Sequence, residues 1–441
     1  MSVAEEFKFS LKVMINREKT KVLFAEVDSD FADVLLSFMT LPLGTIVRLF
    51  QKHYGKQAPV IGSLNSLRKG LDELSNAHFW TKQCKLMLLN PRSSFKDECG
   101  KLKLNLDHDT PPARYFTCEN WDCYWPRYEN VGTCYYIDRC SCGKPLNREI
   151  GITPSTQPND CQVFTSNTTS FLISDHLSMV PNVTGSVIQT LSILGITDID
   201  GAELRIVTVG FNEIMDLLKG SLFSRTPLTD LILNKRRLID FDAEKSEPGS
   251  LLHEMVKEVA NSNSKKMIVK VMIRKSTNKL LFAQAEEDFV DFLFGFLTIP
   301  LGRVESLLDG NARLKSIDNL YRSIANINGD KYLKSEENGM YVFLLWVLMC
   351  TCAILRPGSY VKGTGMFMVK DDLTIKPLCM LSSISILNDQ KIPLSDVKEL
   401  ELEIGLTEGL SILRASLTSA CALTDGLMVN RILMKQPKEE H

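Results

Sequence analysis

Four cysteines, Cys118, Cys123, Cys140 and Cys142, form two close pairs separated by sixteen residues, and Gly143 follows the last. Two chelating pairs joined by a short loop are the usual makings of a structural Zn²⁺ site. Four thiolates at about 2.3 Å satisfy a tetrahedral ion and close it to substrate. A glycine turn behind a ligand lets backbone N–H groups point at sulfur and moderate the thiolate charge. The loop carries Trp121, Tyr124, Trp125, Tyr128, Tyr135 and Tyr136. Bulky as they are, a segment of about 25 residues cannot bury enough surface by itself, and a metal contributing on the order of 10–16 kcal/mol would offset that deficit. The Cys-x₄-Cys and Cys-x-Cys spacings depart from the common Cys-x₂-Cys pairs. Cys134, Cys99 and His108 are therefore spare ligand candidates. Reduced ordinary cysteines, or disulfide and redox chemistry, are the open alternatives. The remaining cysteines considered, Cys350, Cys352, Cys379 and Cys421, sit in apolar stretches and read as core.

Other chemistry is sparse. The six histidines belong to no His-Glu-x-x-His motif, and the chain holds neither a phosphate-binding Gly-x-x-x-x-Gly-Lys-Ser/Thr loop nor a Gly-x-Ser-x-Gly elbow. Asp175-His176 could be drawn as a base with its carboxylate, yet neighbours on a strand face opposite ways. A second Asp pair, Asp371-Asp372, stands at the corresponding place later in the chain. A polar turn before Pro181 and Pro377 is the simpler reading.

The elements that must position these residues come in two copies. Residues 12–44 recur at 270–302, and 17 of the 34 positions aligned from Leu11 and from Val269 are identical without a gap. The match resumes at Ser63 and Ser316, at SDHLSMVP and KDDLTIKP, and at the segments closing on Asp230 and Asp425. Within a copy, Phe7, Phe9, Leu11, Val13 and Ile15 alternate with polar residues as in a half-buried strand. Residues 16–21 predict a turn and VLFAEV a returning strand. Asp28 or Ser29 caps a helix whose apolar face is Phe31, Val34, Leu35 and Phe38, and Pro42 ends it. Leu-Pro-Leu-Gly then reads as a packing corner, with Gly44 and Gly302 supplying backbone freedom. Closing helices are predicted near 212–222 and 407–417.

The copies differ in one place. Cys84 to Phe171 spans 87 residues, whereas Glu337 to Phe367 spans 30, so the second copy lacks the LMLLNP strand and the cysteine loop. The apolar run 340–355 occupies the gap. A membrane-spanning helix needs about 20 residues, so this run reads as buried, or as a translated intron, unless it inserts into a membrane. A transcript read across 330–365 distinguishes these.

The fold class expected is α+β: two tandem homologous α+β units, the first with a small zinc-ribbon-like insertion at about 115–148. The first unit covers 1–237, a linker 238–265 (with a short helix at 251–259), the second unit 266–433 and a polar tail 434–441. A net charge of −2 supplies no global field for nucleic acid or membrane. Between Cys118 and Cys142, two arginines face four acids. With no signal-peptide pattern at its start, the chain is expected in the cytoplasm or nucleus.

The run KVLFAEVDSDFADVLLSFMTLPLGTIVRLF, then LNSLRKGLDEL, LMLLNPRSS, LKLNLDHD, YFTC and CSCGKPLNREI, resembles a plant family classified as domain of unknown function 674. FVDFLFGFLTIPLG, YVKGTGMFMVKDDLTIKP and ASLTSACALTD carry the resemblance through the second copy. It covers nearly the whole chain and implies a plant source and a tandem architecture, but no activity. By elimination the expected role is a non-enzymatic protein-interaction scaffold with other proteins as partners. Zinc-ribbon-assisted nucleic-acid binding, or an unrecognised hydrolase or transferase, is the alternative.

Overall fold

The computed structural model describes residues 7–110, 115–118, 131–133, 146–150, 163–166, 170–183, 187–234, 266–277, 279–327, 329–333, 360–363 and 365–427. The predicted linker with its helix at 251–259, the polar tail and the apolar run 340–355 lie outside these residues.

The opening alternation folds as predicted. Strand β1 (Phe9–Ile15) buries Phe9, Leu11, Val13 and Ile15, and β2 (Val22–Val27) returns against it. Helix α1 (Ser29–Ser37) starts because the Asp28 carboxylate accepts from Phe31 N at 2.8 Å. A short 3₁₀ turn ends at Thr40, and α2 (Leu43–Tyr54) begins right after Pro42. Next come α3 (Leu64–Glu73), α4 (Lys82–Leu89) and α5 (Lys96–Cys99). Here the LMLLNP strand reading is corrected. The Thr81 hydroxyl accepts from Cys84 N at 3.2 Å and opens a helix across that run. A short continuous apolar run cannot tell strand from helix, and the cap decides it.

The insertion supplies β3 (Tyr115–Cys118), β4 (Val131–Thr133) and β5 (Leu146–Ile150). Beyond it lie β6 (Phe171–Ser174), β7 (Met179–Pro181), α6 (Val187–Ile193), β8 (Glu203–Val209), α7 (Phe211–Phe223) and α8 (Pro227–Ile232). The second copy contributes β9 (Met267–Arg274), β10 (Lys279–Ala285), α9 (Glu287–Gly295), α10 (Leu301–Leu307) and α11 (Ser316–Asn326). It continues through β11 (Phe367–Lys370), β12 (Ile375–Pro377), α12 (Met380–Asp389), β13 (Val397–Ile404), α13 (Leu406–Thr418) and α14 (Ala422–Leu427). Both closing helices start alike: Gly210 N and Gly405 N each donate to a glutamate three residues on, Glu213 and Glu408, at 3.0 Å.

The molecule is α+β. Each copy builds a five-stranded antiparallel sheet of the same order, β7-β6-β2-β1-β8 in the first and β12-β11-β10-β9-β13 in the second. The insertion adds a separate three-stranded sheet, β4-β3-β5. One face of each large sheet feeds a single continuous core containing Leu11 and Phe31 of the first copy and Val271 and Phe289 of the second. The far face of the second sheet has its own cluster, Met272, Leu281, Phe282, Met368 and Ile392, covered by Ile386 and Leu387 of α12.

The copies interlock by exchange. Helix α3 of the first packs on β12 and α9 of the second, while α11 of the second packs on β7 and α7 of the first. The same bonds tie both crossings. Ser63 Oγ donates to Ser419 O at 2.7 Å, and its counterpart Ser316 Oγ donates to Ser224 O at 2.9 Å. Beyond the helices, Trp80 N and Lys362 N exchange bonds with Tyr360 O and His78 O, and Ser166 N reaches Tyr332 O. The Leu41-Pro42-Leu43-Gly44 and Ile299-Pro300-Leu301-Gly302 corners also meet. Leu43 N donates to Ile299 O and Leu301 N to Leu41 O, each at 2.9 Å. Gly44 is required by close approach more than by freedom: a Cβ there would lie 2.9 Å from Leu297 O. Among the described residues no helix is long and apolar enough to cross a membrane.

Candidate functional site

Cys118 is the last residue of β3 and is buried. It pairs with Leu146 of β5, after a register shift between Thr117 and Cys118. On the other side of β3, Thr117 pairs with Val131 and Tyr115 with Thr133. Cys123, Cys140, Cys142 and the spare Cys134 lie outside the described residues. Of the other spare candidates, Cys99 closes α5 in the core, 3.6 Å from Thr40 Oγ1, and burial pushes its thiol up to about 11. His108 is exposed, its Nε2 3.3 Å from Asp109 Oδ1. Among the described residues no three His, Cys, Asp or Glu side chains gather as a metal site. Two of the cysteines read as core are not buried: Cys379 is exposed at the start of α12, and Cys421 is half-buried before α14. Cys350 and Cys352 lie outside the described residues.

Asp175-His176 forms the turn between β6 and β7, completed by Leu177 at φ 60°. Asp175 is buried, which raises its pKa, and its carboxylate accepts from Thr229 N at 2.8 Å and Thr229 Oγ1 at 2.7 Å. It thereby fastens α8 to the turn. His176 Nδ1 donates instead to Arg225 O at 2.7 Å. The two side chains thus serve separate structural bonds and form no base-and-carboxylate couple. Asp371 repeats the arrangement, accepting from Thr424 N and Oγ1 at 2.8 and 2.9 Å, with Leu373 at φ 62°. A polar cleft of about 300 Å³ opens beside the first turn, between Asn16, Arg17, His176, Asp198 and Asp200. Arg17 is paired with Asp200 across it at 3.3 Å.

Two further groupings escaped sequence reasoning. Asp33, within the apolar face of α1, accepts from Val163 N, Phe164 N, Thr165 N and Thr165 Oγ1 at 2.6, 3.2, 2.8 and 2.8 Å. Its counterpart Asp291 accepts from Tyr360 N and Val361 N at 3.2 and 2.8 Å. The only signal was an acid at the same apolar position in both copies. The second grouping is basic. Arg48 of α2, Arg68 of α3, Arg92 of the turn after α4, and Lys96 of α5 converge in the first copy, all half-buried. Arg48 Nη2 donates to Asp107 Oδ1 at 2.7 Å and Thr110 Oγ1 at 2.9 Å. Their spread over 49 positions hid this cluster; only the local Asn-Pro-Arg-Ser-Ser-Phe-Lys run hinted at it.

A family model described as "Protein of unknown function (DUF674)" matches residues 5–354 and 355–440. Its division falls inside the apolar run 340–355. No curated protein and no solved structure matches the chain.

Proposed function

We propose a function from the premise that this chain belongs to the DUF674 family, whose description assigns none. The protein is a non-enzymatic interaction scaffold. A structural Zn²⁺, held by Cys118, Cys123, Cys140 and Cys142, organises its aromatic-rich loop for recognition of another protein.

The observation that carries this reading is the order of the small sheet. β3 ends at Cys118, and the connection bearing Cys123 runs from there to Val131, beside Thr117 on the neighbouring strand. β5 starts at Leu146, paired with Cys118 itself, only four residues after Cys142. Four residues span at most about 14 Å, so both cysteine pairs are tethered to the same end of the sheet. Cys134 follows Thr133, which pairs with Tyr115 at the opposite end, and is the poorer candidate. Burial of Cys118 suits a closed structural site. The bound ion would cross-link chain ends that the three short strands hold only loosely.

The test uses the full chain, purified without chelators. Elemental analysis is expected to give one zinc per chain for the wild type and none for Cys140→Ser/Cys142→Ser. Near-UV dichroism from Trp121 and Trp125 should change with the metal, and partners captured by the wild type should be lost by the variant. A zinc-free wild-type chain overturns the site. Zinc without any loss of partners overturns the role given to the loop.

A further inference from the structure

We infer that the first repeat binds a phosphate group, free or on a small ester, between Arg48, Arg68, Arg92 and Lys96. The inference is independent of the zinc reading.

Helices α2, α3 and α4 meet here, and the turn 90–96 closes over them. Arg48 spends one nitrogen, Nη2, on Asp107 and Thr110, and its Nε is buried with no acceptor among the described residues. Arg68 donates to the carbonyl of Leu89 and Lys96 to the carbonyl of Asp107, so these two cations rest on neutral oxygens. Burial first, and then the like charge of Arg48, lower the pKa of Arg68 to about 10 against the opposing pull of Asp72. Lys96 is lowered by burial first; Asp107 and Cys99 raise it, and Arg48 and Arg92 lower it. Among the described residues, the carboxylates set against Arg48, Arg68 and Lys96 are Asp107 and Asp72. At the rim Lys52 and Asp109 pair with each other and cancel.

Desolvated cations on neutral acceptors are costly, and the cost falls when an anion arrives. A phosphate suits this set because its oxygens accept from several guanidinium forks at once, while an ammonium adds a point charge. The second repeat is a built-in control. Ser306 stands where Arg48 does, Tyr321 where Arg68 does, and the segment bearing Arg92, Lys96, Asp107 and Thr110 has no counterpart.

The experiment is calorimetric titration of the full chain with inorganic phosphate and, separately, phenyl phosphate, against sodium chloride at matched ionic strength. One phosphate per chain is expected, with saturable heat that chloride does not reproduce. Preference for the ester would identify a small organic phosphate as the source, and equal binding would identify the free ion. Arg92→Gln/Lys96→Gln leaves the Arg48–Asp107 pair in place and should weaken binding by about tenfold or more. Single Lys96→Gln, with near-UV dichroism as a check on folding, replaces it if the double variant fails to fold. Heat indistinguishable from chloride, or unchanged affinity in a folded variant, overturns the inference.

Discussion

At the scale of single residues, Asp33 and Asp291 show how duplication relaxes a constraint. Both carboxylates sit in the core and clamp an incoming peptide segment, but among the described residues Asp33 takes four donors and Asp291 two. Val361 replaces Thr165 and removes the hydroxyl donor. With fewer bonds to its charged form, Asp291 is pushed by burial up to about 7. A folded-state pKa above the ordinary 3.8 means that the folded chain holds the extra proton between the two values. That contribution to stability is fully present below pH 3.8 and is lost as pH rises through about 7. Asp291→Asn, which does not titrate, should therefore gain on the wild type by on the order of 3 kcal/mol between pH 4 and pH 8. Asp33→Asn turns an amide N–H₂ toward backbone N–H donors and should cost about 1–3 kcal/mol. Urea midpoints across that pH range measure both, and a pH-independent difference for Asp291→Asn would refute the assignment. Nothing local to residue 33 could reveal its partners, which lie some 130 positions away.

At the scale of elements, whatever rests on local periodicity was legible and whatever rests on distant neighbours was not. The β1–β2 hairpin, α1 with its Asp28 cap, and α7 and α13 fall where alternation, capping and apolar spacing place them. Lys82–Leu89 misled because its apolar run fits either periodicity. Of the four cysteines expected to hold zinc, Cys118 alone lies among the described residues, at the end of β3. Helix α3 illustrates the other class. Its Gly70 lies so close to β12 that a Cβ would stand 2.9 Å from Ile375 N. The counterpart Ser323 in α11 instead accepts from Met179 N through its hydroxyl at 3.0 Å. Gly70→Ser should be tolerated better than Gly70→Val, because a serine hydroxyl can reproduce the Ser323 bond. A valine adds branched bulk against backbone and should cost about 1–3 kcal/mol more. Equal melting temperatures for the two variants would show that the helix is not held as closely as described.

At the scale of the whole molecule, the exchange of α3 and α11 makes each copy a part of the other's core. Repeat matching aligns elements with their counterparts but is silent about which sheet each one covers. Taken alone, the first copy would expose α7 and β7 where α11 now lies, and the second would expose β12 and α9 where α3 lies. Both losses strip apolar surface from the middle of the core, where burial is worth about 25 cal/mol per Å². The covalent connection between the copies keeps one half at a high local concentration near the other. A protease site placed at 245–250 of the full chain should therefore leave the molecule intact after cutting. The two fragments are expected to co-elute in gel filtration, to melt in one transition, and to part only in denaturant. Each fragment isolated in that way should fail to recover native dichroism until its partner is returned. Two separately folded, separately eluting fragments would mean that the copies are neighbours with cores of their own, contrary to the interlock formed by Ser63, Ser316 and the paired Pro-Leu-Gly corners.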